Sequence, residues 1–158
     1  MGINRGKAWE TKFKEDWIKS MPDSSIDRLY DPVNGYTSIA NISDFICYKY
    51  PNIFYMECKS HEGNTFPISA LTQYEKLSKK VGIKGVRAGV VLWFIDHDCG
   101  ILYVPISTFT KLIQDGKKSF NVKMIDDPNY PCLKIPSVKK RVFYDADYSV
   151  LCDLEEGW

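Results

Sequence analysis

Histidine is scarce, with two residues in 158, and the five cysteines (Cys47, Cys58, Cys99, Cys132 and Cys152) are odd in number and form no CxxC pair. That pattern points away from a zinc ribbon and from a disulfide framework, and it suits a reducing cytoplasm. No run of about 18 apolar residues occurs, so a membrane span is not expected. The first twenty positions are charged and carry two tryptophans, without the apolar core and small-residue cleavage site of a secretory leader. Internal repeats, low-complexity stretches and linker-like segments are missing too. What remains is 44% hydrophobic and 14% aromatic, the composition of one ordinary domain with a core of its own.

The formal charge of +1 conceals an asymmetry. Residues 144–158 hold five acids (Asp145, Asp147, Asp153, Glu155 and Glu156) and no Lys or Arg, which leaves +6 on residues 1–143. A mildly basic body of this kind permits a polyanionic partner.

Trp9, Phe13, Trp17 and Met21 recur every four positions, which predicts a helix from about Arg5 to Met21 that Pro22 stops. At 100° per residue, Glu10 projects about 20° from the direction of Trp17, so this acid lies in or beside the apolar stripe and needs a partner. A strand is expected near Ser25 to Tyr30, a turn at Asp31 to Gly35, and a loop or short strand after Tyr36. Residues 44–50 and 53–59, rich in aromatic and β-branched side chains and parted by Pro51-Asn52, read as a hairpin. A helix from about Pro67 to Lys80 should follow, then a strand from Val86 to Ile95 buried on both faces, its neighbour Ile101 to Ile106, a short helix from Ser107 to Ile113 ending at Gly116, and a last strand within Val142 to Val150.

The chemistry concentrates in the hairpin. Glu57 and Lys59 interrupt an apolar strand at a spacing of two and share a face, opposite to that of Phe54, Met56 and Cys58. With the turn centred between Pro51 and Asn52, Ile46 faces Glu57 and Asp44 faces Lys59, so Asp44, Glu57 and Lys59 converge. A three-residue loop would instead send Asp44 to the other face. Two carboxylates and a main-chain carbonyl such as that of Cys58 suit a hard divalent cation. The competing reading makes Asp44 and Lys59 a cross-strand ion pair on a wet face, with Glu57 solvated.

An Asp, then thirteen residues on a Glu-x-Lys strand, with a Glu in a preceding helix, resembles the metal site of the PD-(D/E)XK nucleases. More closely, the chain is similar to the RecU-type Holliday-junction resolvases in five segments in the same order. These are Asn4-Arg5-Gly6-Lys7 with Glu10, Ser43-Asp44, Glu57-Cys58-Lys59, Phe66-Pro67-Ile68, and Gly116-Lys117-Lys118-Ser119. The resemblance implies an α/β, restriction-endonuclease-like fold with a central mixed sheet flanked by helices, here one domain over residues 1–158. It further implies a homodimer cleaving branched DNA, chiefly four-way junctions, with Mg²⁺, for which Mn²⁺ would substitute. Asp44, Glu57 and the Cys58 carbonyl would hold the metal, and Glu10 would contribute from outside. Lys59 would orient or activate water, and Gln73 stands where the family has a glutamine near the site. An ordinary lysine keeps its proton at neutral pH, so a lysine in this place either has its proton displaced by metal and burial or serves as donor and cation. Family members carry a longer insertion after the first helix, forming a stalk that enters the junction, whereas 34 positions separate Glu10 from Asp44 here. Less sharp discrimination of junctions is the expectation, and a phage or prophage origin is compatible with the shortening.

Arg5 and Lys7 open the first helix, where its dipole disfavours cations, so a phosphate partner suits them. Arg28, Lys117 and Lys118 are further candidates for DNA contact. Lys76, Lys79, Lys80, Lys84 and Arg87 form a basic cluster that either meets phosphates or is a solvated face. His61 lacks a His or Cys partner at metal spacing and reads as a loop residue. None of the ten tyrosines has the Arg and His company of a recombinase nucleophile. Against the junction nuclease stand a nuclease of the same fold with flap, single-strand or repair specificity, and a catalytically silent DNA-binding module.

Overall fold

The computed structural model describes residues 4–30 and 41–158. The turn expected at Asp31 to Gly35 and the segment after Tyr36 lie outside them. In chain order the elements are α1 (Arg5–Ser20), β1 (Ser25–Arg28), β2 (Phe45–Lys49), β3 (Asn52–His61), β4 (Thr65–Pro67), α2 (Tyr74–Ser78), β5 (Val86–Phe94), β6 (Ile101–Pro105), α3 (Ile106–Gln114), β7 (Ser119–Asn121), β8 (Leu133–Ile135), β9 (Ser137–Lys139) and β10 (Tyr144–Ala146). Short 3-10 turns occupy Ile68–Ala70, Val122–Met124 and Tyr148–Asp153.

The central sheet has six strands in the order β1-β2-β3-β5-β6-β8. It is mixed, because β3 and β5 run parallel while the other pairs are antiparallel. Helices cover both faces, as the resemblance implies. On one face α1 buries Trp9, Phe13 and Trp17 against Phe45, Phe54, Met56 and Cys58. Tyr148 closes that layer, its ring edge-on to Phe13 at 4.9 Å. On the other face α3 and the short α2 bury Leu77, Phe109 and Leu112 against Val90, Leu92 and Val104. The expected two-sided burial of the strand after Val86 follows, because each face of β5 meets a separate core. Gly89 on β5 leaves room for the buried Tyr103 ring, which a Cβ would meet at 2.6 Å from Cζ. Among the described residues, no helix is long and apolar enough to cross a membrane.

Three expectations need correction. The hairpin turns at Tyr50-Pro51, so that Lys49 pairs with Asn52 and Phe45 with Met56. Continued by one residue, this register sets Asp44 level with Glu57 and Ile46 level with Tyr55, two positions from the expected pairing. A shift of two preserves parity, and Asp44 stays on the Glu57 side. The helix expected from Pro67 to Lys80 is a 3-10 turn followed by the five-residue α2. Pro67 is instead the last residue of β4, which pairs with β7 and buries Phe66 against Phe120. The expected last strand shrinks to Tyr144–Ala146, because Asp147 caps a 3-10 turn by accepting from the Ser149 amide.

Candidate active site

β2 ends its ladder at Phe45 while β3 runs on to His61, leaving the edge of Cys58 and its successors open toward the chain before β2. Asp44 folds into that opening. Its Oδ2 accepts from the Cys58 amide at 2.9 Å, and its own amide donates to Glu57 Oε2 at 3.1 Å. Ser43, buried alongside, donates from its hydroxyl to the Phe45 carbonyl at 2.8 Å, and the Asp44 carbonyl accepts from the Leu29 amide at 2.8 Å. The two carboxylates are thus locked side by side by main-chain donors. In an extended strand the N–H and C=O of one residue point the same way, so the Cys58 carbonyl faces the same opening as its amide.

Glu57 is 2% exposed. Burial, then the adjacent Asp44 charge, push its carboxyl up to about 8. Lys59 Nζ stands 3.4 Å from Glu57 Oε1 and is the nearest cation on that side, an ion pair that lowers the Glu57 carboxyl without offsetting those two causes. An acidic pair in which burial and like charge outweigh the neighbouring cation at Glu57, facing one main-chain oxygen, fits a hard divalent cation. Among the described residues no three His, Cys, Asp or Glu side chains gather as a ligand set, so such a cation would rest on two side chains and the Cys58 carbonyl.

Glu10 approaches from the α1 face. Its partner, demanded by its place beside the apolar stripe, is Arg28, with Nη2 at 2.8 Å and Nε at 3.1 Å from Glu10 Oε2. The same guanidinium lies 3.6 Å from Asp44 Oδ1 and donates to the main-chain carbonyls of Asp44 and Leu29. Phe45 and Tyr30 rings flank it at 5.5 and 5.3 Å. Burial and the Asp44 charge raise the Glu10 carboxyl, with Arg28 opposing them. Arg28, read from sequence as a DNA contact, is thus turned inward as the tie between Glu10 and Asp44. Its place at the end of β1, beside the Asp-bearing strand, is a tertiary feature without a sequence signature.

The other sequence-derived residues are spread around this centre. Gln73 stands just before α2 without a side-chain capping bond, and its side-chain oxygen accepts from the Thr72 hydroxyl at 3.0 Å. Lys80 covers the Tyr55 ring at 5.1 Å, and Tyr55 precedes Glu57 by two on the same face. Lys76 sits in the last turn of α2. Arg5 pairs with Glu62 at 3.1 Å and Lys7 is exposed in the first turn of α1. Lys117 and Lys118 are exposed after Gly116, whose φ of 74° suits glycine at the end of α3. His61, read from sequence as a loop residue, is instead the last residue of β3, level with Phe94 of β5, because the parallel ladder runs two residues past Lys59; its ring packs edge-on against Phe66.

No protein-family model matches this chain, and no curated protein does. Among solved structures it is similar to the 1.6 Å structure of Hjc, a Holliday junction resolvase from the archaeal hyperthermophile Archaeoglobus fulgidus. The identity is 18%, the match covers 77% of this chain and 91% of that one, and the TM-score is 0.48.

Proposed function

We propose that this protein is a divalent-metal-dependent endonuclease that cleaves branched DNA, four-way junctions foremost, as a RecU-like homodimer. The observation that carries the reading is the lock between strands: Asp44 bonded to the Cys58 amide and Glu57 to the Asp44 amide, with Lys59 beside them. A merely solvated pair would not be buried against its own like charge.

Asp44, Glu57 and the Cys58 carbonyl would hold Mg²⁺ or Mn²⁺. When bound, the metal supplies Lewis acidity at the scissile phosphate and makes water a better nucleophile. The chain's own groups do the rest. Main-chain amides fix both carboxylates, so little reorganisation is needed as charge develops. Lys59 stands at the rim, where its ammonium orients the attacking water and offsets charge in the transition state. Arg28 holds Glu10 against Asp44 and keeps the latter's second oxygen in place. Phosphate contacts fall to Arg5, Lys7, Lys76, Lys80, Lys117 and Lys118. Two nicks of like polarity need two such centres related by a two-fold axis, which is why a dimer belongs to the proposal.

Synthetic four-way junction, flap and linear duplex, incubated with the protein and Mg²⁺ and again with EDTA, test the reading. Paired nicks in the junction that EDTA abolishes are expected, with some cutting of other branched substrates because the stalk region is short. Metal-independent binding without cleavage would leave a DNA-binding module, and cleavage confined to flaps or single strands would assign a different nuclease of the same fold.

A further inference from the structure

We infer that the Arg28 guanidinium is a permanent cation of the carboxylate site, standing where a second metal ion would otherwise sit, and that the protein therefore holds one divalent ion per chain. Glu10 then serves the arginine and not the metal. The count of ions rests on the metal-dependent reading above and deepens it.

Arg28 ends β1 level with Phe45 of β2, so the ladder delivers its side chain beside Asp44. The guanidinium lies between two acids, with Nη2 at 2.8 Å from Glu10 Oε2 and Nη1 at 3.6 Å from Asp44 Oδ1. Two carboxylates from different elements, one of them shared with the first metal position, are the kind of ligands a second ion takes in a two-metal phosphodiester centre. Here an arginine has them. Its hold is not a single contact. Nε donates to Glu10 Oε2 at 3.1 Å, and Nη1 donates to the main-chain carbonyls of Leu29 and of Asp44, the latter at 3.0 Å. The Tyr30 and Phe45 rings lie against it, and its side chain is 23% exposed. Moving it aside would break charge-assisted bonds to Glu10 and strip two main-chain carbonyls of a donor. An arginine also keeps its charge at every working pH, so the position stays cationic. The other flank of the pair differs, because Lys59 meets Glu57 by one contact of 3.4 Å.

Charge balance leads to the same count. With every group ionised, Glu10, Asp44 and Glu57 against Arg28 and Lys59 leave one negative charge. One divalent ion together with one phosphodiester brings the centre to neutrality. A second ion would leave two positive charges in a half-buried site, beside a guanidinium that cannot release its own.

Manganese is counted on the whole protein, without DNA and slightly above neutral pH, by the loss of the electron-spin-resonance signal of free Mn²⁺. The natural protein should bind one ion per chain. R28Q, which keeps a polar side chain and removes the charge, should bind two, and E10Q/R28Q should return to one, because the second ion then lacks a carboxylate. In Mg²⁺ the Arg28 Nε–H resonance, identified by its absence from R28K, should stay slow to exchange with water, since the arginine keeps Glu10. Should R28Q not fold, the count on the natural protein and this exchange rate decide. Two ions on the natural protein, one on R28Q, two on E10Q/R28Q, or an Nε–H that exchanges freely once Mg²⁺ is added would overturn the inference and leave a metal-dependent nuclease standing. No ion on the natural protein would overturn both.

Discussion

Replacing Glu57 by Gln should make the metal-free protein more stable, by an amount that grows with pH. Burial and the Asp44 charge raise the Glu57 carboxyl from 4.5 to about 8, so the folded protein keeps a proton that the unfolded chain releases. Stability from this group is then full below about pH 4.5 and is lost as pH rises to about 8. At about 1.4 kcal/mol per pH unit, the interval corresponds to nearly 5 kcal/mol. Lys59 and Arg28 can settle toward the emerging charge, and about 3 kcal/mol is the expected loss. Glutamine keeps the volume and an oxygen for the Asp44 amide, but it cannot ionise. Urea unfolding of both proteins in EDTA, from about pH 5 to about pH 9 and followed by the buried Trp9 and Trp17, should give curves that diverge with pH. Parallel curves would refute the reasoning. Mg²⁺ at the upper end should stabilise the natural protein, by about 2.7 kcal/mol at a hundredfold excess over its Kd, and should leave the variant unchanged.

Asp44→Asn should abolish cleavage while junction binding, measured by gel shift, persists and tightens at low salt, since a negative charge leaves a DNA-facing surface. Lys59→Ala should slow single-turnover cleavage by about a hundredfold or more with metal affinity less affected, and Lys59→Arg should not restore it. Rescue by Arg would show that positive charge alone is needed there. Gly89→Ala should destabilise the fold by about 3 kcal/mol, read as a lowered urea midpoint, because the new Cβ meets Tyr103 Cζ and its hydroxyl at 2.6 and 2.8 Å in a ring with no room to move.

Periodicity alone carried the first helix, the buried strand after Val86 and the helix before Gly116, because each is a local pattern of apolar spacing that a single face or pair of faces rewards. The convergence of Asp44, Glu57 and Lys59 in the candidate site was legible as well, since a spacing of two on a strand and a hairpin partner are properties of the chain near itself. The register was not. Whether the turn sits on Tyr50-Pro51 or on Pro51-Asn52 is a difference of one residue in the sequence and of two in the pairing, and the tertiary structure decides it by setting Phe45 beside Met56 under α1. The helix expected after Pro67 lost its first turn to a strand partner, Ser119–Asn121, that lies about fifty residues away. Arg28 shows the same limit in chemistry. Nothing near it in sequence says whether its charge faces DNA or carboxylates; only the packing of α1 across β1 brings Glu10 within 2.8 Å and turns a surface cation into part of the site. Local order follows from the sequence because its partners are a few residues apart, whereas the site's electrostatics depend on groups that only the folded chain brings together.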